Sequence, residues 1–243
     1  MPITSPHNDK LKTVRKLRAR RRERERLGLF VAEGEDLLSA ADAAGWEPVE
    51  RFAATGSGLP GIEVEPELLA GVSELASGTR TLAIYRERWQ AVGKLAPARL
   101  CVYLHGVQDP GNLGTVLRSA AAFGAARVVL GPGSADPFSP RAVRASMGAI
   151  FAVPVARAQS GQLRGVSVAL HAQAERTLAD LAEDLGQRAE VSLLIGAERD
   201  GLPADVLAGA DHLARIPIVT ESLNAAMAAA VGLYELTRRI TPA

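Results

Sequence analysis

Cysteine occurs once in these 243 residues, so no intramolecular disulfide can form and a reducing cytoplasm is the natural compartment. That residue, Cys101, lies in the apolar run LCVYL and reads as a small buried hydrophobe. No apolar run reaches the roughly 18 residues that a membrane helix needs, and no hydrophobic segment follows the basic N-terminus as an export signal would. An intracellular chain without membrane contact is expected. The four histidines, His7, His105, His171 and His212, are scattered without metal-ligand spacing, so no metal is expected. No GxGxxG loop follows a strand-like run, which removes support for a nicotinamide cofactor. Internal repeats and low-complexity tracts are absent as well.

What remains is an ordinary globular composition, 47% apolar and 23% charged, in a length that suits one large domain or two small ones. The net charge of +1 conceals an asymmetry. Residues 10–26, KLKTVRKLRARRRERER, hold ten Lys and Arg against two Glu, and the rest of the chain is mildly acidic. Such a block reads as an electrostatic footprint for phosphates or, more blandly, as a solvated helix face. Its apolar stripe is only Leu11, Val14 and Leu17, with no aromatic residue, which argues against membrane binding.

The first part of the chain reads as a small α/β unit. After the basic helix, LFVAEGEDLLSAADAAG is a strand running into a helix that stops near Gly45. EPVERFAAT is another strand, GSGLPG a turn, PELLAGVSELAS at 66–77 a helix and TLAIYRERW at 81–89 a last strand. AVGKLAPAR at 91–99 mixes Gly, Pro and Lys without periodicity and sets the expected division into residues 1–92 and 93–243. From 100 onward the runs LCVYL, RVVL, IFAVPV, VSVAL, VSLLI and LARIPI alternate with helical stretches near 113–123, 139–148, 177–185, 203–209 and 222–239. Near-continuous Val, Ile and Leu is what strands buried on both faces require. The second unit is therefore expected to be α/β, a mostly parallel sheet covered by helices.

Three stretches put Gly, Pro or Asn where a strand gives way to a helix: DPGNLGTVLRSAAAFGA at 109–125, LLIGAERDGLP at 193–203 and IPIVTESLNAAMAAAVGLYE at 216–235. That junction is where open α/β sheets bind ligands. Polar residues set among apolar neighbours there are costly to bury without a task; they are Asn112, Arg118, Glu198, Ser222 and Asn224. Asn112 reads equally as a helix cap, and so do Ser222 and Asn224. Arg118 is either an exposed surface residue or, beside AAAFGA, a guanidinium turned into a cleft to meet phosphate or ribose oxygens. Glu198 reads as loop support or as part of the chemistry. Gly196 leaves room for a nucleoside against the backbone, and Gly201 is a turn.

The ordered set NxGxxxR (Asn112, Gly114, Arg118), GxExxGL (Gly196, Glu198, Gly201, Leu202) and IP followed by SLN and YE (Ile216, Pro217, Ser222, Leu223, Asn224, Tyr234, Glu235) resembles the three motifs of the SpoU/TrmH family. Members are S-adenosylmethionine-dependent RNA 2′-O-ribose methyltransferases of the SPOUT superfamily. The resemblance implies a deep C-terminal trefoil knot, which nothing in the residues themselves reveals. It implies a cofactor held by backbone around Gly196, Ile216, Leu223 and Asn224, with Arg118, Asn112, Glu198, Ser222 and Asn224 as catalytic candidates. It also implies a homodimer with the active site beside the two-fold axis, formed through the Arg118 helix and the small residues Ala225, Ala226, Ala228, Ala229, Ala230 and Gly232, a surface that on its own residues could equally pack within the monomer. FVAEGEDLLSAADAAG is similar to the L30e-like substrate-binding domain that many members carry in front, which turns the expected partner towards ribosomal rather than transfer RNA. Only Ile218, Val219, Thr220 and Glu221 separate Pro217 from Ser222, a short connector for the family. A noncatalytic RNA-binding or ribosome-assembly protein on the same fold is the alternative. On the enzymatic reading, residues 93–243 alone should still bind the cofactor and dimerise.

Overall fold

The computed structural model describes residues 1–74, 78–91, 99–185 and 189–238. The expected division at residue 92 lies outside them, as do residues 75–77; the helix expected over 66–77 already ends at Ala70, with Gly71 as its cap.

The N-terminal part is built on a four-stranded sheet in the order β1-β4-β2-β3, from β1 (Leu29–Glu33), β2 (Glu50–Ala54), β3 (Ile62–Val64) and β4 (Thr81–Arg86). β4 runs antiparallel to β1 and β2, and β3 pairs parallel with β2. Its helices are α1 (Asp9–Ala19), α2 (Arg21–Leu27), α3 (Glu35–Ala43) and α4 (Pro66–Ala70). The basic stretch is thus two helices, because Arg20 is extended at φ −131°. Leu11, Val14 and Leu17 are fully buried against Val31, Phe52, Leu82 and Ile84, so this stretch is docked on the sheet. Two of its cations are structural: Arg18 pairs with Glu33 at 2.6 Å and Arg24 with Asp136 at 2.8 Å, all four side chains buried.

The second sheet has seven strands in the order β11-β9-β10-β6-β7-β8-β5. They are β5 (Trp89–Gln90), β6 (Leu100–Leu104), β7 (Arg127–Leu130), β8 (Val155–Arg157), β9 (Val166–Leu170), β10 (Val191–Ile195) and β11 (His212–Ala214). Every pairing is parallel. β6 and β10, LCVYL and VSLLI, are buried at every position, as strands covered on both faces must be. The accompanying helices are α5 (Pro110–Ala122), α6 (Pro140–Ala145), α7 (Ala149–Ala152), α8 (Leu178–Leu185), α9 (Ala204–Ala208) and α10 (Ala225–Thr237).

Three strand expectations change. TLAIYRERW breaks after Arg86, and Trp89 joins the large sheet through β8. IFAVPV is helix in its first half: Gly148, at φ 91°, caps α7, and only Val155 onward is strand. LARIPI is strand only to Ala214 and then enters a loop. IFAVPV owes its apolar character to covering a core rather than to extending a sheet, whereas in LARIPI only Ala214 is buried, Ile216 is partly buried, and Leu213 and Ile218 are exposed. Ile150 and Phe151 join Phe30, Trp46, Tyr85 and Phe138 in one hydrophobic cluster that spans both sheets. The Trp46 indole N–H also donates to the Phe151 carbonyl at 2.9 Å, satisfying a helix-end group that would otherwise be orphaned. No helix among the described residues is long and apolar enough to cross a membrane.

Candidate active site

The loops leaving β6, β10 and β11 gather at the carboxyl edge of the parallel sheet. α5 begins three residues earlier than a cap at Asn112 would allow: Pro110 takes the first helical position and Asp109 caps, its Oδ1 accepting from Asn112 N–H at 2.9 Å. Proline at that position is preorganised for a helix start. The Asn112 amide is thereby left for other partners. It donates from Nδ2 to Glu198 Oε1 at 2.5 Å, and Asn112 Oδ1 accepts from Asn224 Nδ2 at 3.1 Å. Asn224, rather than Ser222, caps α10, with Oδ1 accepting from Ala226 N–H at 2.9 Å and Met227 N–H at 3.3 Å. Ser222 stays in the loop, exposed. Glu198, Asn112 and Asn224, one from each stretch, therefore form a single hydrogen-bonded run, and both amides are oriented by their partners.

Beside this run lies a cavity of about 670 Å³ at the ends of β9, β10 and β11. Leu170, Ile195, Ile216 and Leu223 give it apolar walls, and Gly196, Glu198 and Ser222 lie along it. Gly196 has a different reason from the expected one. A methyl group there would stand 2.1 Å from Gly201 C and 2.3 Å from Leu202 N, because the loop folds back on itself through paired bonds between Ala197 and Gly201 at 3.0 and 3.1 Å. Gly201 supplies the turn at φ 66°. The close approach is thus of chain to chain.

Arg118 is not in the cavity. α5 buries Leu113, Gly114, Val116, Leu117 and Ala120, which turns Arg118 outward, exposed and without an ion-pair or hydrogen-bond partner among the described residues. The small residues of α10 are also turned from their expected place: Ala225, Ala226, Ala229 and Gly232 pack inside the chain. What α10 exposes instead is Met227, Val231 and Tyr234.

His171, Gln173 and Arg215 line the same cavity and were not singled out from the sequence. Their one signal was position, His171 directly after the run VSVAL, Gln173 close behind it, and Arg215 as the one charged residue inside LARIPI. Arg215 Nη1 donates to the Ala174 and Glu175 carbonyls at 3.0 and 2.8 Å, tying the loop after β9 to the exit of β11. No metal-binding group of His, Cys, Asp or Glu occurs among the described residues. Cys101 offers no nucleophile, since burial pushes its thiol up to about 11.

Residues 99–234 match the model of the SpoU rRNA Methylase family. The 23S rRNA (guanosine(2553)-2′-O)-methyltransferase RlmP of Bacillus subtilis is 32% identical over 96% of this chain and 98% of its own. Among solved structures, an AdoMet-bound rRNA methyltransferase from Sinorhizobium meliloti superposes with a TM-score of 0.89 at 30% identity, covering 100% of this chain and 99% of its own. The SpoU methyltransferase AviRb from Streptomyces viridochromogenes, in complex with AdoMet, gives 0.84 at 25% identity over 96% and 98%. With the three motifs joined by one hydrogen-bonded run beside this cavity, this chain belongs to the SpoU rRNA methylase family.

Proposed function

We propose that this chain transfers a methyl group from S-adenosylmethionine to a ribose 2′-hydroxyl of RNA, with ribosomal RNA as the substrate class. The observation that carries the reading is the run Glu198–Asn112–Asn224, which locks the three loops together at the lip of the cavity. The cavity suits the cofactor: Leu170, Ile216 and Leu223 offer apolar walls for a flat base, while loop backbone and the carboxylate of Glu198 offer polar contacts for ribose and for the ammonium of a zwitterionic amino-acid end. When bound, S-adenosylmethionine supplies an electrophilic methyl on a sulfonium centre.

The chain's own contribution is alignment, the larger share of such catalysis. Asn112 and Asn224 hold the lip rigid, and Ser222 stands exposed beside it to meet the ribose. Arg118 remains protonated at any working pH, so its role is to grip a phosphate and stabilise the developing alkoxide rather than to take the proton. Its exposure in a single chain supports a homodimer in which a second copy completes the site. The exposed stripe Met227, Val231 and Tyr234, at 50%, 37% and 52% accessibility on the helix that packs against α5, supports the same arrangement. We take the return from edge strand β11 to mid-sheet α10 as the knotted segment, residues 1–92 as the RNA-binding part and residues 93–243 as the transferring part.

Purified protein should move labelled methyl groups from S-adenosylmethionine to 2′-O positions of 23S rRNA. Arg118→Ala should slow this at least about 100-fold, the typical worth of a lost transition-state donor, with cofactor affinity retained. Absence of 2′-O-methyl product with the wild-type chain overturns the reading; undiminished turnover in Arg118→Ala removes Arg118 from it.

A further inference from the structure

We propose that a second cleft at the carboxyl edge of the large sheet holds a nucleotide of the RNA strand flanking the methylated ribose. The cleft, about 450 Å³, lies over the ends of β7 and β8 and is closed on one side by α2 of the N-terminal part. Its floor is formed by Gly131, Pro132 and Gly133, two glycines and one proline ring that leave a low surface on which a nucleoside can lie. Its rim carries Arg21, Arg157 and Gln162. The Gln162 side-chain carbonyl is occupied, accepting from Gln159 N–H at 2.8 Å, so its amide presents the N–H₂ donors. Among the described residues no carboxylate lines the cleft. An acceptor-rich, anionic ligand fits these groups, and a nucleotide has both properties.

The two arginines are held in place. Arg157 stacks over the Trp89 ring at 4.0 Å, and Glu25 Oε1 sits between them, 2.9 Å from Arg21 Nε and 3.6 Å from Arg157 Nη2. One carboxylate against two guanidiniums leaves a positive charge and unused N–H groups at the rim. Arg20 and Arg22, exposed beside Arg21, add to the field.

Position links this cleft to the methyl-transfer site. A methyl group on Gly106 would lie 3.5 Å from the Ala197 side chain, which lines the cofactor cavity, and one on Gly133 would lie 3.4 Å from Gly106 Cα. A single glycine ridge therefore separates the two depressions. Adjacent nucleotides of one strand can occupy both, and this is why the ligand is assigned as the substrate strand itself; the assignment rests on the methyl-transfer reading.

The test uses the full chain, a fluorescein-labelled oligouridylate of roughly 12 nucleotides, within the range of single-strand site sizes, and an unmodified 23S rRNA transcript. Arg21→Gln and Arg157→Gln should each weaken oligouridylate binding about tenfold, as loss of a charge-assisted hydrogen bond does, and flatten the slope of log K against log salt by roughly 0.7. Arg157→Lys, which keeps a cation over Trp89, should retain the slope, and Glu25→Gln should bind more tightly than wild type. In methyl transfer to the transcript, both glutamine variants should show the deficit in KM rather than kcat, with cofactor affinity unchanged. Wild-type affinity and slope in both glutamine variants, or no gain in Glu25→Gln, overturns the cleft. If the wild type binds oligouridylate in this pattern yet methylates no transcript, the methyl-transfer reading fails and the cleft stands.

Discussion

Arg24 shows how far a single residue's role departs from its composition class. In a block of ten cations it looks like a phosphate contact, yet it is buried, bonded to Asp136 and to the Leu17 carbonyl at 2.6 Å. Removing one partner of a buried pair strands the other charge, so Arg24→Ala should cost about 3–5 kcal/mol in urea unfolding. A loss under about 1 kcal/mol would show that the site is solvated. Cys101 is the opposite case, read correctly as inert: with its thiol pushed up to about 11, the native chain should resist iodoacetamide at pH 8 and react only on unfolding. At the candidate site, sequence made Asn112, Glu198 and Asn224 visible because polar residues between apolar runs need a reason. It did not show which asparagine caps a helix, since that choice turns on one or two residues of loop geometry. Asn112→Ala should lower turnover roughly tenfold or more, on the scale of losing a hydrogen bond to a charged group, measured as kcat with cofactor affinity as control.

Elements were legible where one physical reason dominated. LCVYL and VSLLI are strands because nothing but a doubly covered sheet explains such runs, and α10 follows from its alanine-rich length. IFAVPV misled because an apolar run that fills the space between two layers has the same letters as a buried strand. The helix pair α5 and α6 carries a sharper dependence. A methyl on Gly114 would stand 2.4 Å from the Ala142 carbonyl oxygen and 2.6 Å from Ala145 Cβ. Gly114→Ala should therefore destabilise the chain by about 1–3 kcal/mol through overpacking, although alanine is the better helix former by about 1 kcal/mol. A stabilised Gly114→Ala variant in denaturant titration would mean that α6 yields readily.

At the scale of the molecule, assembly and internal continuity make separate predictions. If the exposed face of α10 joins two copies, Val231→Glu should sediment as a monomer at micromolar concentration and lose methyl transfer together with it; a dimeric variant would exclude that face. Within one chain, Phe30 lies 4.8 Å from Phe138, and Trp46 and Tyr85 each lie 5.2 Å from Phe151. A chain beginning at residue 93 leaves Phe138, Ile150 and Phe151 uncovered, so it should aggregate rather than fold as an independent cofactor-binding half, and light scattering after refolding would show it. The change of composition at 91–99 could not reveal this, because a linker's sequence says nothing about how tightly its two sides are pressed together.

That seam also governs what the molecule emits. Both tryptophans of the chain sit there, Trp46 under the Arg88 guanidinium at 4.1 Å and Trp89 under that of Arg157 at 4.0 Å, and neither lines the cavity proposed for the cofactor. Excitation of the unlabelled protein thus reads the contact between its two sheets, and through Trp89 the seating of a strand on Arg157, while the arrival of cofactor passes unseen.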